Sequence, residues 1–188
     1  LYIVGFSLGG NILLKYLAEY KYEVPNNFVK GVALSSPIDL KSVSLQLSTT
    51  FSGLYQSYFL KKLNKKLIQK ADIFPSGIAV KDIENLDTLL KFDNFYTAPV
   101  NGFVDAIDYY EKCSAKPLLD SVQHQVLLIN ALDDPFLPKE CYPFDTLRKN
   151  NYIDFETPKT GGHLGFINSI KQQTCWYPQR IAAYFSEQ

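Results

Sequence analysis

A short apolar run that stops on a glycine-flanked serine and restarts at once as an amphipathic helix leaves few folds open, and the chain begins with such a segment. Leu1, Tyr2, Ile3 and Val4 cluster as in a short buried strand, and Gly5-Phe6-Ser7-Leu8-Gly9 follows without a spacer. From residue 10 to about residue 22, Ile12, Leu13, Tyr16, Leu17 and Tyr20 recur at three-to-four spacing, which predicts a helix; Pro25 with Asn26 and Asn27 closes it. A strand, Gly-x-Ser-x-Gly and a helix in that order form a sharp turn. Such a turn demands small residues two before and two after the serine, a demand assigned here to Gly5 and Gly9.

The rest of the chain repeats the strand and helix alternation. Residues 28–34 read as a second strand ending at Ser35-Ser36-Pro37, and residues 126–129 as a third, running into Asn130-Ala131-Leu132-Asp133-Asp134-Pro135. A helix over 138–149 leads to a last strand at 152–155, then Gly161-Gly162-His163 and a C-terminal helix through 180–185. Short apolar strands separated by helices predict an α/β fold with a mostly parallel sheet and flanking helices. Residues 41–117 differ, being helical patterns rich in Lys, Leu, Tyr and Phe with breaks at Pro75-Ser76-Gly77 and Ala98-Pro99. They are expected to form an inserted helical cap, dividing the chain into 1–40, 41–117 and 118–188. Within the cap, residues 61–70 interleave lysines with Leu63, Leu67 and Ile68, a pattern of a solvated helix face or of a face that rests on lipid. The aromatic residues Phe92, Phe95, Tyr96, Phe103, Tyr109 and Tyr110 suit packing of the cap or an acyl pocket.

Several function classes fall away on composition. Of 188 residues, 19 are basic and 19 acidic, so no overall field favours nucleic acid. The three cysteines, Cys113, Cys141 and Cys175, have no metal-ligand spacing and are expected to be reduced, buried thiols. No apolar run approaches the roughly 18 residues needed to cross a bilayer. The sequence contains no methionine and opens inside a strand, so the natural protein is expected to begin further upstream.

The chemistry centres on Ser7, whose hydroxyl the turn would raise at the C-terminal edge of the sheet, with the Leu8 N–H at the helix start free to bind an oxyanion. A serine hydroxyl needs a base. His163, in a glycine-rich loop after the last strand, is preferred to His124, which lies among Ser121, Gln123 and Gln125 as a surface histidine would. The carboxylate that orients the base is Asp134 or Asp133. Asp134 is favoured because Pro135 keeps it extended, leaving Asp133 a solvated or loop-capping role.

Taken together, GFSLGGNILLKYL, the exit Ser35-Ser36-Pro37-Ile38-Asp39-Leu40, KFDNFYTAPVNGFVDAIDYYEKCSA, LLINALDDPFLP and GGHLGF resemble the AB hydrolase 4 (YheT-like) family of α/β-hydrolases, in order and over nearly the whole chain. The resemblance implies a triad of Ser7, Asp134 and His163, no cofactor and no metal, and ester substrates of the carboxylesterase, monoacylglycerol lipase or phospholipase kind. It also implies acyl transfer to an alcohol as the alternative, a cytosolic or cytosolic-side membrane location, and an N-terminal anchor in many eukaryotic members. Membrane association is expected through that anchor or through the cap. Family members carry further strands and a second oxyanion donor ahead of the nucleophile strand. The 188 residues alone are accordingly expected to be nearly inactive and prone to aggregate. A non-catalytic interaction protein on the same scaffold is the rival of another class, against which the three matched residues weigh. Acyl-chain selectivity, head-group selectivity and oligomeric state have no motif.

Overall fold

A computed structural model of the chain describes residues 1–73, 80–169 and 174–187. The break expected at Pro75-Ser76-Gly77 lies outside the described residues. The chain divides into two compact units, Leu1–Leu40 with Cys113–Gln188, and Lys41–Lys112.

The first unit is built on four parallel strands in the order β1 (Tyr2–Phe6), β2 (Lys30–Leu34), β3 (Val126–Ile129) and β4 (Ile153–Glu156). The register runs Gly5 to Ala33, Ala33 to Leu128 and Leu128 to Phe155, so the strands end together at one edge of the sheet. Both faces of β2 and β3 are buried, which is why these strands read as unbroken apolar runs rather than alternating ones. On one face Val32, Leu34, Leu127 and Ile129 pack with Tyr184 of the C-terminal helix, and on the other Leu13 of α1 (Leu8–Glu19) lies over Gly31. Each such fully buried aliphatic contributes about 1.5–3 kcal/mol relative to exposure.

The expected strands are all present, with boundaries within two residues. The helix α1 starts at Leu8, two residues earlier than periodicity suggested, and stops at Glu19, because the chain turns back through Glu23 and Val24, whose N–H groups donate to the Tyr20 carbonyl. The helix expected over 138–149 is instead a 3₁₀ turn, Lys139–Cys141, followed by the single turn α8 (Phe144–Leu147). Pro143 lacks the N–H needed to join them. A two-stranded antiparallel ribbon, β5 (Ile167–Ser169) and β6 (Thr174–Cys175), was not signalled by periodicity, since strands this short carry none. The C-terminal helix α9 spans Tyr177–Ser186 with Pro178 in its first turn, where a missing N–H costs nothing.

The second unit lies between β2 and β3 in the chain and is helical: α2 (Leu40–Thr49), α3 (Leu54–Ile73), α4 (Val80–Glu84), α5 (Leu89–Phe92), a π turn at Asp93–Thr97, α6 (Ala98–Val100) and α7 (Ala106–Cys113). It has its own core of Leu60, Leu67, Ile83, Leu86 and Phe92. The unit closes before residue 117 because Asn11 draws residues 113–115 to the sheet: its amide donates to the Cys113 carbonyl and accepts from Ala115 N–H. Inside the helical unit the Tyr110 hydroxyl donates to Asp93 at 2.6 Å, and burial raises the Asp93 carboxyl above the ordinary aspartate value. Burial, then the Asp93 charge, pushes the Tyr110 hydroxyl upward as well. Phe92 and Tyr96 pair edge-on, and Phe103, Tyr109 and Tyr110 pair in sequence.

Candidate active site

The site lies entirely in the first unit, where the chain leaves the ends of β1, β3 and β4. Ser7 sits between β1 and α1 with φ 50° and ψ −123°, a conformation that L residues adopt only under constraint. Its N–H is held by the Leu34 carbonyl at 2.8 Å and its own carbonyl accepts from Gly10 N–H at 2.9 Å. A serine at a helix N-cap ordinarily turns its oxygen onto the first helical N–H groups. Ser7 makes no such bond, and its Oγ is left to meet a side chain from another segment.

The turn closes because Gly5 has no side chain: a Cβ there would sit 2.4 Å from the Gly9 carbonyl oxygen. At Gly9 the expectation is corrected, since a Cβ would meet nothing within 4 Å. The second residue that must be small is Gly10, where a Cβ would fall 1.8 Å from Ser36 Oγ. The helix start packs on Gly5 through its backbone, and α1 turns the Cβ of residue 10, not residue 9, toward the strand exit. Leu8 is the first residue of α1, so its N–H has no helical carbonyl to reach.

His163 Nε2 lies 3.0 Å from Ser7 Oγ, and His163 Nδ1 lies 2.9 Å from Asp134 Oδ2. The Asp134 side chain is fully buried, and its other oxygen accepts from Phe136 N–H at 2.9 Å. A buried carboxylate held by a backbone donor on one oxygen presents the other in a fixed direction, which orients the imidazole. Ser7, Asp134 and His163 are therefore brought together, in one connected chain of hydrogen bonds. His124 is elsewhere: its Nε2 donates to the Lys21 carbonyl, and its ring meets Phe28 edge-on.

Asp133 does not approach His163. Its Oδ1 accepts from both Gly161 and Gly162 N–H at 2.8 Å and so clamps the start of the loop that carries the histidine. That loop is tight: Gly162, Leu164 and Phe166 all have positive φ, and a Cβ on Gly161 would lie 2.6 Å from the Phe166 ring. Phe136 lies over the His163 ring at 4.3 Å.

Two polar residues at the strand ends escaped sequence reasoning. Asn130, fully buried, accepts from Ser36 N–H and donates to the Cys141 carbonyl, tying the ends of β2 and β3 to the loop after Pro138. Ser35, fully buried with φ 51°, accepts from Leu164 N–H beside His163. Position at the end of an apolar strand was their only signal. The Tyr142 hydroxyl donates to the Ala131 carbonyl at 2.5 Å; burial, then the Asp134 charge, pushes its pKa up. Among the described residues no group of His, Cys, Asp and Glu could hold a metal ion.

A parallel sheet with a serine on the turn after one strand, an acid after another and a histidine in a later loop defines the α/β-hydrolase class. The chain belongs to the α/β hydrolase fold family, whose match covers residues 1–169. It is 32% identical to YheT of Escherichia coli strain K12 over 95% of this chain and 52% of that protein. It is 28% identical to the phospholipase ABHD3 of Mus musculus, over 96% and 44% of the two. It is 24% identical to a monoacylglycerol lipase of Saccharomyces cerevisiae, over 97% and 41%. The chain thus spans about half the length of the curated relatives it matches. Among solved structures, the Pyrococcus horikoshii acylaminoacyl peptidase shares the fold with a TM-score of 0.55 at 14% identity, over 99% of this chain and 23% of that one.

Proposed function

We propose that this protein is a serine hydrolase that cleaves carboxylic esters of lipids through an acyl-enzyme. The observation that carries the reading is the continuous hydrogen-bonded path from Asp134 through His163 to Ser7. Ser7 Oγ attacks the ester carbonyl while its proton passes to His163 Nε2. Asp134 holds the Nδ1–H and stabilises the imidazolium. The carbonyl oxygen, now negative, accepts from Leu8 N–H. Collapse expels the alcohol, which takes the proton from Nε2, and leaves the acyl group on Ser7. Water then repeats the sequence and frees the acid.

Lipid esters are supported by the names of relatives, a phospholipase and a monoacylglycerol lipase. A second reading, transfer of the acyl group to an alcohol, is favoured by a 27% identical relative covering all of this chain, the medium-chain fatty acid ethyl ester synthase/esterase 2 of Saccharomyces cerevisiae. Both pass through the same acyl-enzyme and differ only in which hydroxyl attacks it.

The test is labelling of the full-length protein with a fluorophosphonate, which forms a stable bond only to an activated serine. The wild type should label at Ser7, and Ser7→Ala, melting at an unchanged temperature, should not. A folded wild type that takes up no probe overturns the reading in favour of a non-catalytic interaction protein. With probe uptake established, turnover of a lipid ester at rising alcohol concentration distinguishes free acid from new ester as the product.

A further inference from the structure

We propose that α3 from Leu54 to Lys66 and the turn before it form a docking face for an anionic lipid bilayer, independent of the chemistry at Ser7. The helix carries five lysines against one aspartate, and Lys61, Lys62, Lys65 and Lys66 are all exposed. Spacings of three and four residues put Leu54, Tyr58, Lys61, Lys62 and Lys65 on one face. Leu60 and Leu67, on the opposite face, belong to the unit's own core.

A helix that was merely solvated would present polar residues outward along its length. This one presents apolar residues at its start: Phe51, Leu54 and Tyr58 are 65%, 66% and 54% exposed. The backbone at the turn is itself constrained, with φ of 47° at Phe51 and 54° at Ser52, neither of them glycine. Left-handed torsions at consecutive residues with side chains are unfavourable. Here they accompany a phenylalanine turned into solvent. The apolar tip and the last of the four lysines are about 18 Å apart along the helix, at about 1.5 Å per residue.

An anionic membrane suits this arrangement better than an acidic protein would. Phe51 and Leu54 can enter the acyl boundary while the lysine ammonium groups meet headgroup phosphates, as in interfacial helices with aromatic and aliphatic residues on one side and lysines beside them. Lys61 and Lys65 also border a groove of about 450 Å³ shared with Asn64, Ile83 and Glu84. Asn64 Oδ1 is buried there and, among the described residues, accepts no hydrogen bond. Because the whole chain has no net charge, attraction to an anionic surface must come from such a local cluster.

Co-sedimentation of the full chain with vesicles of phosphatidylcholine and phosphatidylserine at 3:1 tests this. Binding at low salt is expected, weakened on pure phosphatidylcholine and by added salt. Each lysine replaced by alanine at 61, 62, 65 or 66 should lower partition about fivefold, and the fourfold variant by roughly 600-fold if the four act independently. Phe51→Ser with Leu54→Ser should reduce binding while leaving its dependence on phosphatidylserine. If the fourfold variant does not fold, the singles Lys62→Ala and Lys66→Ala carry the comparison. A wild type that ignores phosphatidylserine, or folded lysine variants that bind as tightly as the wild type, would overturn the proposal, as would a surface that takes up acidic protein but no vesicle.

Discussion

Asp133 and Asp134 are neighbours in sequence with different partners, and the difference is geometric. Asp134 turns one oxygen to Phe136 N–H and the other to His163; Asp133 turns outward to the amides of Gly161 and Gly162. Replacing Asp134 by asparagine keeps the shape but removes the charge and favours the wrong imidazole tautomer, so kcat for ester hydrolysis should fall about 10⁴-fold with KM little changed. Asp133→Asn keeps an oxygen for the two glycine amides and should cost roughly tenfold or less, whereas Asp133→Ala leaves both amides without their acceptor and should cost more. Steady-state kinetics on the four proteins checks the order. Equal losses at the two aspartates would deny the division of roles. Sequence reasoning reached Asp134 through its proline neighbour and anticipated a loop-capping role for the loser. It could not name the amides being capped, because they lie 28 and 29 residues away.

Among elements, the β1 to α1 turn is the most tightly specified. Gly5→Ala would drive a Cβ into the helix backbone, and Gly10→Ala into Ser36; each should destabilise by at least about 1–3 kcal/mol and displace Ser7. Gly9→Ala meets open space inside a helix, so it should be neutral or stabilising by up to about 1 kcal/mol. Urea unfolding of the three variants, with probe labelling of Ser7 as the second readout, decides this. A Gly9→Ala protein as unstable as Gly5→Ala would contradict the close-approach account. The motif reads as symmetrical in sequence, with a glycine on either side of the serine. The packing is not symmetrical, since the helix presents its residues at 100° steps to the strand that precedes it. The loss of the expected 138–149 helix has a local origin too, since Pro143 stands between the 3₁₀ turn and α8 and has no N–H to join them.

At the scale of the molecule, two separately cored units share one chain. Among the described residues no helix is long and apolar enough to cross a membrane. None of the three cysteines is in a disulfide; Cys141 is buried and the other two are partly so. Burial pushes the Cys141 thiol up to about 12. A thiol whose folded pKa is raised from 9.0 contributes stability that is present below pH 9 and lost as the pH climbs toward 12. At pH 8 it should therefore resist a disulfide reagent at least about tenfold longer than Cys113 and Cys175, and react only once the protein is unfolded. Peptide mapping of the labelled protein reads this directly; rapid native labelling of Cys141 would contradict it.

The α/β class and the four parallel strands were legible from residue order alone, and so was the choice of Ser7, Asp134 and His163 as candidates, which the structure brings within hydrogen-bond distance of one another. Each is written in local terms: an apolar run, a helical period, a glycine-flanked turn, a histidine after the last strand. Tertiary structure decided which glycine must be small, what Asp133 holds, and that Ser35 and Asn130 brace the strand ends. It also turned Phe51 outward ahead of a lysine-bearing face. These depend on approaches between segments distant in sequence, or on backbone torsions that no side-chain pattern encodes.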